Sequence, residues 1–143
     1  MSASNKTLPI AVIGAGLAGL SCAQALLQAG HAVHVFDKSR GPSGRMSTRR
    51  AEDEAGPWQC DHGAQYFTAR DPQFRAEVAR WQQAGVAALW GARLASFDGT
   101  AWTTPATPLE RFVGTPRMTS PAGWLVQGLK QAGDRALAQW QTT

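Results

Sequence analysis

The sequence predicts an α/β fold that opens with a strand–helix–strand unit of parallel type. Three observations carry this reading. Residues 10–13 (Ile-Ala-Val-Ile) and 32–36 (Ala-Val-His-Val-Phe) are short apolar runs, the pattern of parallel strands buried on both faces. Between them, residues 17–29 read as a helix stopped by Gly30, and no charged residue occurs from Ile10 to Gly30. Strand, helix and strand fit within about 30 residues, the length of one βαβ unit. The chain has 143 residues, 43% of them hydrophobic, and 15 glycines, enough for a packed core in one domain or one part of a larger protein.

The remaining elements follow in order. Residues 1–8 are a short polar tail. Residues 38–50 are basic and punctuated by Gly41, Pro42 and Gly44, which reads as a loop entering an extended segment. Residues 52–57 are a turn cluster, and 58–61 a returning strand. Asp71-Pro72 is a helix start, with Asp as N-cap and Pro in the first turn. That helix carries Phe74, Val78 and Trp81 on one face and stops at Gly85. Residues 86–90 and 93–97 read as strands. Asp98-Gly99 marks a hairpin whose return strand is 100–103, and residues 104–108 are loop. Ser120-Pro121 repeats the cap-plus-proline start of a helix reaching Gln131, and residues 136–143 begin another strand.

The opening unit has a specific chemistry. Gly14, Ala15, Gly16, Leu17, Ala18 and Gly19 spell G-x-G-x-x-G between a strand and a helix, with Asp37 at the end of the next strand. In this arrangement Gly14 permits the tight turn and Gly16 lets a pyrophosphate approach the backbone. Gly19 lets helix and sheet pack closely. The free N–H groups of the helix start face the phosphates, and Asp37 accepts from ribose hydroxyls while repelling a 2′-phosphate. A dinucleotide-binding, Rossmann-like unit is the expectation. A plain NAD domain continues with a helix after the second strand. Here five cations follow instead, Lys38, Arg40, Arg45, Arg49 and Arg50, in a glycine-containing loop able to meet an anionic ligand. The alternative reading is a solvated basic loop balanced by Glu52, Asp53 and Glu54. No aromatic residue interleaves these cations, so a nucleic-acid patch is not expected.

Residues 14–19, Asp37 and Gly44-Arg45 together resemble the amino-terminal signature of the FAD-dependent amine oxidases. The stretches 37–50 and 61–68, and Arg111-Phe-Val-Gly-Thr-Pro116 followed by Met118, are similar to the bacterial members of its renalase-like branch. The resemblance covers most of the chain. It implies noncovalently bound FAD and a two-domain fold. It also implies hydride transfer from a reduced substrate to the flavin, with molecular oxygen as final acceptor and isomers of reduced NAD(P) as substrates. Lys38, Gly44, Arg45, Asp61 and His62 then join the cofactor set. Gly63 and Ala64 let the ring system approach the backbone, and Gln65 and Tyr66 are candidate substrate contacts. No catalytic residue is assigned, because flavin chemistry needs no dedicated acid–base pair.

Family members are much longer than this chain, and Ser43 stands where they carry a glycine. The resemblance therefore implies an FAD-binding Rossmann-like segment over 1–70 and the incomplete start of a substrate-side domain over 71–143, in an apparently truncated chain. Nothing after the first two strands is expected to return to their sheet. Such a piece should expose apolar surface, self-associate and not turn over by itself. A noncatalytic fragment and a small NAD-binding module are the competing readings.

Other classes recede. Cys22 and Cys60 form neither a disulfide framework nor a metal cluster, and they read as small buried hydrophobes. His62 lacks partners at ligand spacing, so no metal is expected. Phe67 reads as a core aromatic. The net charge of +4 is mild. Glycines and glutamines within the apolar stretch argue against a membrane span, and the sequence reads as cytoplasmic.

Overall fold

A computed structural model of the chain describes residues 8–104 and 109–141. The polar tail expected over residues 1–8 and the loop over 104–108 fall largely outside these residues, as do the last two positions of the expected final strand. The chain runs β1 (Ile10–Ile13), α1 (Leu17–Gln28), β2 (Val33–Phe36), the first of two 3-10 turns at Gly44–Met46 (the second, Gly133–Arg135, precedes the last strand), then β3 (Thr48–Asp53) and β4 (Gly56–Asp61). It continues through α2 (Pro72–Gln83), β5 (Ala87–Leu89), β6 (Ser96–Phe97), β7 (Trp102–Thr103), β8 (Phe112–Gly114), α3 (Ser120–Lys130) and β9 (Ala136–Gln139).

The sheet that positions the site has the order β1–β2–β9, all parallel, with Val33 opposite Ile10 on one side and Ala136 on the other. The strand at β9 overturns the expectation that nothing later rejoins the opening unit. The strand itself lies where the sequence places one; its partner is what the sequence leaves open, because Ala-Leu-Ala-Gln carries no feature that specifies pairing with β2. Helix α3 precedes it and packs against α1, so the second half of the chain covers and extends the first. Gly128 marks their close crossing, since an added Cβ would lie 3.3 Å from Gln24 Nε2.

The core lies between this sheet and the two helices. Val12, Val33 and Val35 face Leu20, Ala23 and Leu27 of α1 and Leu125, Val126 and Leu129 of α3. Among the described residues only one sheet face is covered. Ile13 is 81% exposed and Leu137 42%, so the expectation of strands buried on both faces fails for β1. The physical reason is that both described helices against this sheet occupy the same side. On the open face His34 and Phe36 meet edge-on at 6.3 Å.

An aromatic cluster extends the core. Phe67 exchanges backbone hydrogen bonds with Phe112 and packs on the rings of Phe74, Trp81 and Phe112. Trp81 is fully buried, its indole N–H donating to Glu77 Oε1 at 2.8 Å. Phe67 is therefore the core aromatic that its sequence context suggested. Helix α2 starts as expected: Asp71 Oδ1 accepts from the Phe74 N–H at 2.9 Å, and Pro72 opens the first turn.

Several boundaries differ from expectation. The turn cluster at 52–57 shrinks to Glu54-Ala55, because the flanking residues pair in the β3–β4 hairpin. Residues 48–50 belong to β3 rather than to a loop. The hairpin around Asp98-Gly99 forms with only two residues in each strand; the Asp98 carboxylate accepts from the Thr100 and Ala101 N–H groups. In α3 the cap is Thr119, one residue earlier than expected, and Ser120 is the first helical residue, its hydroxyl accepting from Arg117 N–H. Cys22 and Cys60 are free and exposed, not buried. Cys22 falls between the buried positions Leu20 and Ala23 on the α1 surface, and Cys60 lies on the exposed hairpin. No helix among the described residues is long and apolar enough to cross a membrane.

Candidate functional site

Glycine geometry builds the site from the end of β1. Gly14 turns the chain at φ +97°, a region few L side chains adopt, and donates to Phe36 O at 2.7 Å. Gly19 has no room for a side chain: an added Cβ would lie 1.9 Å from Gly14 O and 3.5 Å from Val12 Cγ1. It holds α1 against the turn, as the fingerprint predicts. Gly16 differs. An added Cβ there meets only Gly44 Cα, at 3.9 Å, so its missing side chain serves open space rather than protein packing. Gly16 is also the N-cap of α1, with no capping side chain and no acidic residue in the first turn. The N–H groups of Leu17, Ala18 and Gly19 thus begin a helix whose positive end is uncompensated.

Asp37 closes the turn from the second strand. Its Oδ2 accepts from the Ala15 N–H at 2.5 Å and its Oδ1 from the Ser39 N–H at 2.7 Å. Burial pushes its carboxyl up, but the N–H bonds of Ala15 and Ser39, with Lys38 nearby, outweigh it and hold the pKa below the ordinary value. Asp37 is therefore an anion at neutral pH that orders the glycine turn, with lone pairs left for a ligand hydroxyl.

The basic loop folds back onto the same turn. Ser43 N–H donates to Ala15 O at 2.9 Å, Ser43 bridges Gly16, and Gly44 sits at φ +54° so close that an added Cβ would be 3.2 Å from Gly16 Cα. Two clefts meet at Gly16 and Gly44. One, of about 770 Å³, is lined by Ile13, Gly14, Phe36, Asp37, Lys38 and Ser39. The other, of about 920 Å³, is lined by Leu17, Ala18, Ser43, Arg45, Met46, Ser47, His62, Gly63 and Ala64. Both volumes fall within the range of small-molecule and cofactor sites.

Most of the expected cofactor residues converge here. Gly14, Gly16, Leu17, Ala18, Asp37, Lys38, Gly44, Arg45 and His62 line the two clefts, while Ala15 and Gly19 form the turn behind them. Asp61 does not line either cleft. Its Oδ1 accepts from Thr48 Oγ1 at 2.5 Å and its Oδ2 from the Met118 N–H at 3.2 Å, joining the hairpin to the entrance of α3. His62 Nε2 lies 3.4 Å from Ser47 Oγ. Gly63 makes room for protein: an added Cβ would lie 2.0 Å from Arg45 O, the atom that accepts from the Ala64 N–H.

Gln65 and Tyr66 stand outside the clefts. Tyr66 stacks on Trp90 with ring centroids 5.7 Å apart, and the Arg111 guanidinium lies 5.1 Å from the Tyr66 centroid. Residues that sequence reasoning does not assign to the site include Ser39, Ser43 and Ser47, all on cleft walls. Their signal was present as hydroxyls spaced between the loop's glycines and arginines. No group of three or more His, Cys, Asp or Glu able to hold a metal occurs among the described residues.

This is a Rossmann-like α/β fold. The family model for the NAD(P)-binding Rossmann-like domain matches residues 12–81. A 63-residue stretch is 36% identical to the L-amino-acid oxidase of Bothrops pauloensis, taking in 44% of this chain and 12% of that oxidase. A 47-residue stretch is 49% identical to the zeta-carotene-forming phytoene desaturase of Myxococcus xanthus, 33% of this chain and 9% of the desaturase. Among solved structures, putrescine oxidase bound to putrescine is similar with a TM-score of 0.45 and 22% identity, over 69% of this chain and 21% of that one. The chain thus matches about a tenth of the length of these curated relatives.

Proposed function

We propose that this chain carries the FAD-binding part of a flavin-dependent oxidoreductase of the amine oxidase type. The observation that carries the reading is the pair of clefts meeting at Gly16 and Gly44. A molecule with two bulky ends and an anionic middle suits that shape. The residues fit such a group: the waist has no side chain from Gly16 or Gly44, and the uncompensated α1 N-terminus faces the anionic middle. Asp37 holds the ribose hydroxyls of the adenosine half. Lys38 and Arg45 bring positive charge to the two ends, and His62, Gly63 and Ala64 wall the second cleft. When bound, the flavin supplies a ring that accepts hydride. The similarity to an amino-acid oxidase and a desaturase supports this class of chemistry.

The finer assignments rest on the resemblance. They are noncovalent FAD, the renalase-like branch, oxygen as acceptor, and a small reduced substrate such as an isomer of reduced NAD(P). Gln65 and Tyr66 are its substrate-side contacts. Asp61 acts by fastening the hairpin that holds His62. Residues 1–70 form the cofactor segment and 71–143 begin the substrate side, with α3 and β9 returning to support the cofactor sheet.

The test is FAD titration of the 143-residue chain followed by flavin fluorescence, with NAD as competitor. Gly16→Ala puts a methyl group into the waist at ordinary contact distance from Gly44 Cα alone, so it should lower the thermal midpoint by no more than the small cost of alanine at an N-cap and weaken FAD at least tenfold. Arg45→Ala should weaken FAD by removing a charge-assisted contact worth about 1.5–3 kcal/mol. Saturable NAD binding without FAD binding would replace the flavin reading by that of a small NAD module. Undiminished FAD affinity in Gly16→Ala would remove the site from the glycine waist.

A further inference from the structure

Ser43 holds the least comfortable backbone position near the site. Its φ is 122° and its ψ −23°, outside the regions open to residues bearing a Cβ. Among the described residues only Gln141 otherwise has a positive φ without being glycine. Ser43 is also 3% exposed, the single buried polar residue among those described. Its backbone is accounted for: the N–H donates to Ala15 O, and its carbonyl accepts from the Met46 N–H. Its hydroxyl has no protein hydrogen-bond partner among the described residues. The residue lies on the wall of the 920 Å³ cleft beside Gly16, and also on that of a 630 Å³ cavity edged by Arg40, Arg50 and Thr119, and its hydroxyl is not fully enclosed by protein.

Glycine would satisfy the backbone at this point without strain, so the serine side chain is carried here at a backbone cost. That cost falls on a residue that adjoins the waist between the clefts and whose hydroxyl no described residue engages. Strained backbone persists where a residue's side chain is needed at a site. We infer that the Ser43 hydroxyl is a ligand contact, donating to a phosphoryl oxygen of the dinucleotide held at Gly16. The inference rests on the dinucleotide reading above and adds a residue to it. The hydroxyl would supply a rotatable donor beside Gly16, in addition to the fixed N–H groups of the α1 start. The bound phosphate in turn satisfies the hydroxyl that the protein leaves alone.

Two variants separate strain from contact. Ser43→Ala removes the hydroxyl and keeps a Cβ at the strained φ, so its thermal midpoint should stay near that of the wild type. Ser43→Gly removes both, so its midpoint should rise by several degrees. Both should bind FAD and ADP about tenfold or more weakly, the loss expected for a hydrogen bond to a charged acceptor. Calorimetric or fluorescence titration of the full chain with FAD and, separately, with ADP reads this out. Equal affinities of wild type and Ser43→Ala for ADP would overturn the inference. Binding of ADP but not FAD by the wild type would overturn the flavin reading, while the Ser43 contact would still be decided by the ADP series. Failure of the wild type to bind either nucleotide would overturn both.

Discussion

Gly19→Ala sets two known effects against each other. In the interior of a helix, alanine is favoured over glycine by about 1 kcal/mol. At Gly19 the new Cβ would stand 1.9 Å from Gly14 O, a backbone atom fixed by the β1 turn. Relief requires α1 to retreat by about 1 Å, and a radial gap of that size forfeits a quarter to a half of the contact energy across it. The gap opens where Leu20, Ala23 and Leu27 pack on Val12, Val33 and Val35. Two leucines each losing about 1.5–2 kcal/mol outweigh the propensity gain, and the net destabilisation should be about 2–3 kcal/mol. Gly123→Ala in α3 is the internal control. Nothing lies within 4 Å of its added Cβ, so propensity alone should act and stabilise by up to about 1 kcal/mol. Urea unfolding followed by helical circular dichroism gives both values. A Gly19→Ala protein as stable as the wild type would refute the close packing of α1 on the glycine turn.

Two further outcomes follow from the site. Asp37→Asn should lower stability at neutral pH and flatten the acid limb of the stability curve. The folded carboxyl titrates below its unfolded value, so its contribution is present above the unfolded pKa and fades as pH falls through the folded one. A wild-type and a variant curve with the same slope between about pH 5 and pH 3 would contradict this. Gly63→Ala should destabilise the wall of the second cleft, because its Cβ would sit 2.0 Å from Arg45 O; faster amide exchange at Ala64, which donates to that oxygen, is the readout, and unchanged exchange would count against it.

Local chemistry was legible where one residue type answers one geometric demand. Gly14, Gly19 and Gly30 stand at the turn, the close contact and the helix stop that their spacing announced. Asp71-Pro72 capped α2, and Phe74, Val78 and Trp81 turned one face inward because their period is that of a helix. Long-range pairing was not legible. Residues 136–139 carry a single leucine and no β-branched residue, so nothing local says that they sit beside β2. Burial of Cys22 was misjudged because residue type is a weaker guide than position on a helix face. Within the site, the basic loop was read by charge, which found Arg45, while a backbone dihedral rather than composition distinguishes Ser43. Gly63 was read as space for a ring, and its space is filled by a carbonyl.

The place of β9 beside β2 has a kinetic consequence. The partners in that ladder are roughly a hundred residues apart in the chain, whereas β1 and β2 are joined through a single helix. During synthesis the first two strands can meet early, but one flank of β2 stays open until residue 139 has left the ribosome. An unpaired strand edge in a nascent chain is a template for the wrong partner. Closure of so long a loop is also slow relative to local pairing. The pairing of β9 with β2 is therefore a late event, and conditions that hold nascent chains apart should raise the yield of folded protein more than conditions that strengthen the mature core.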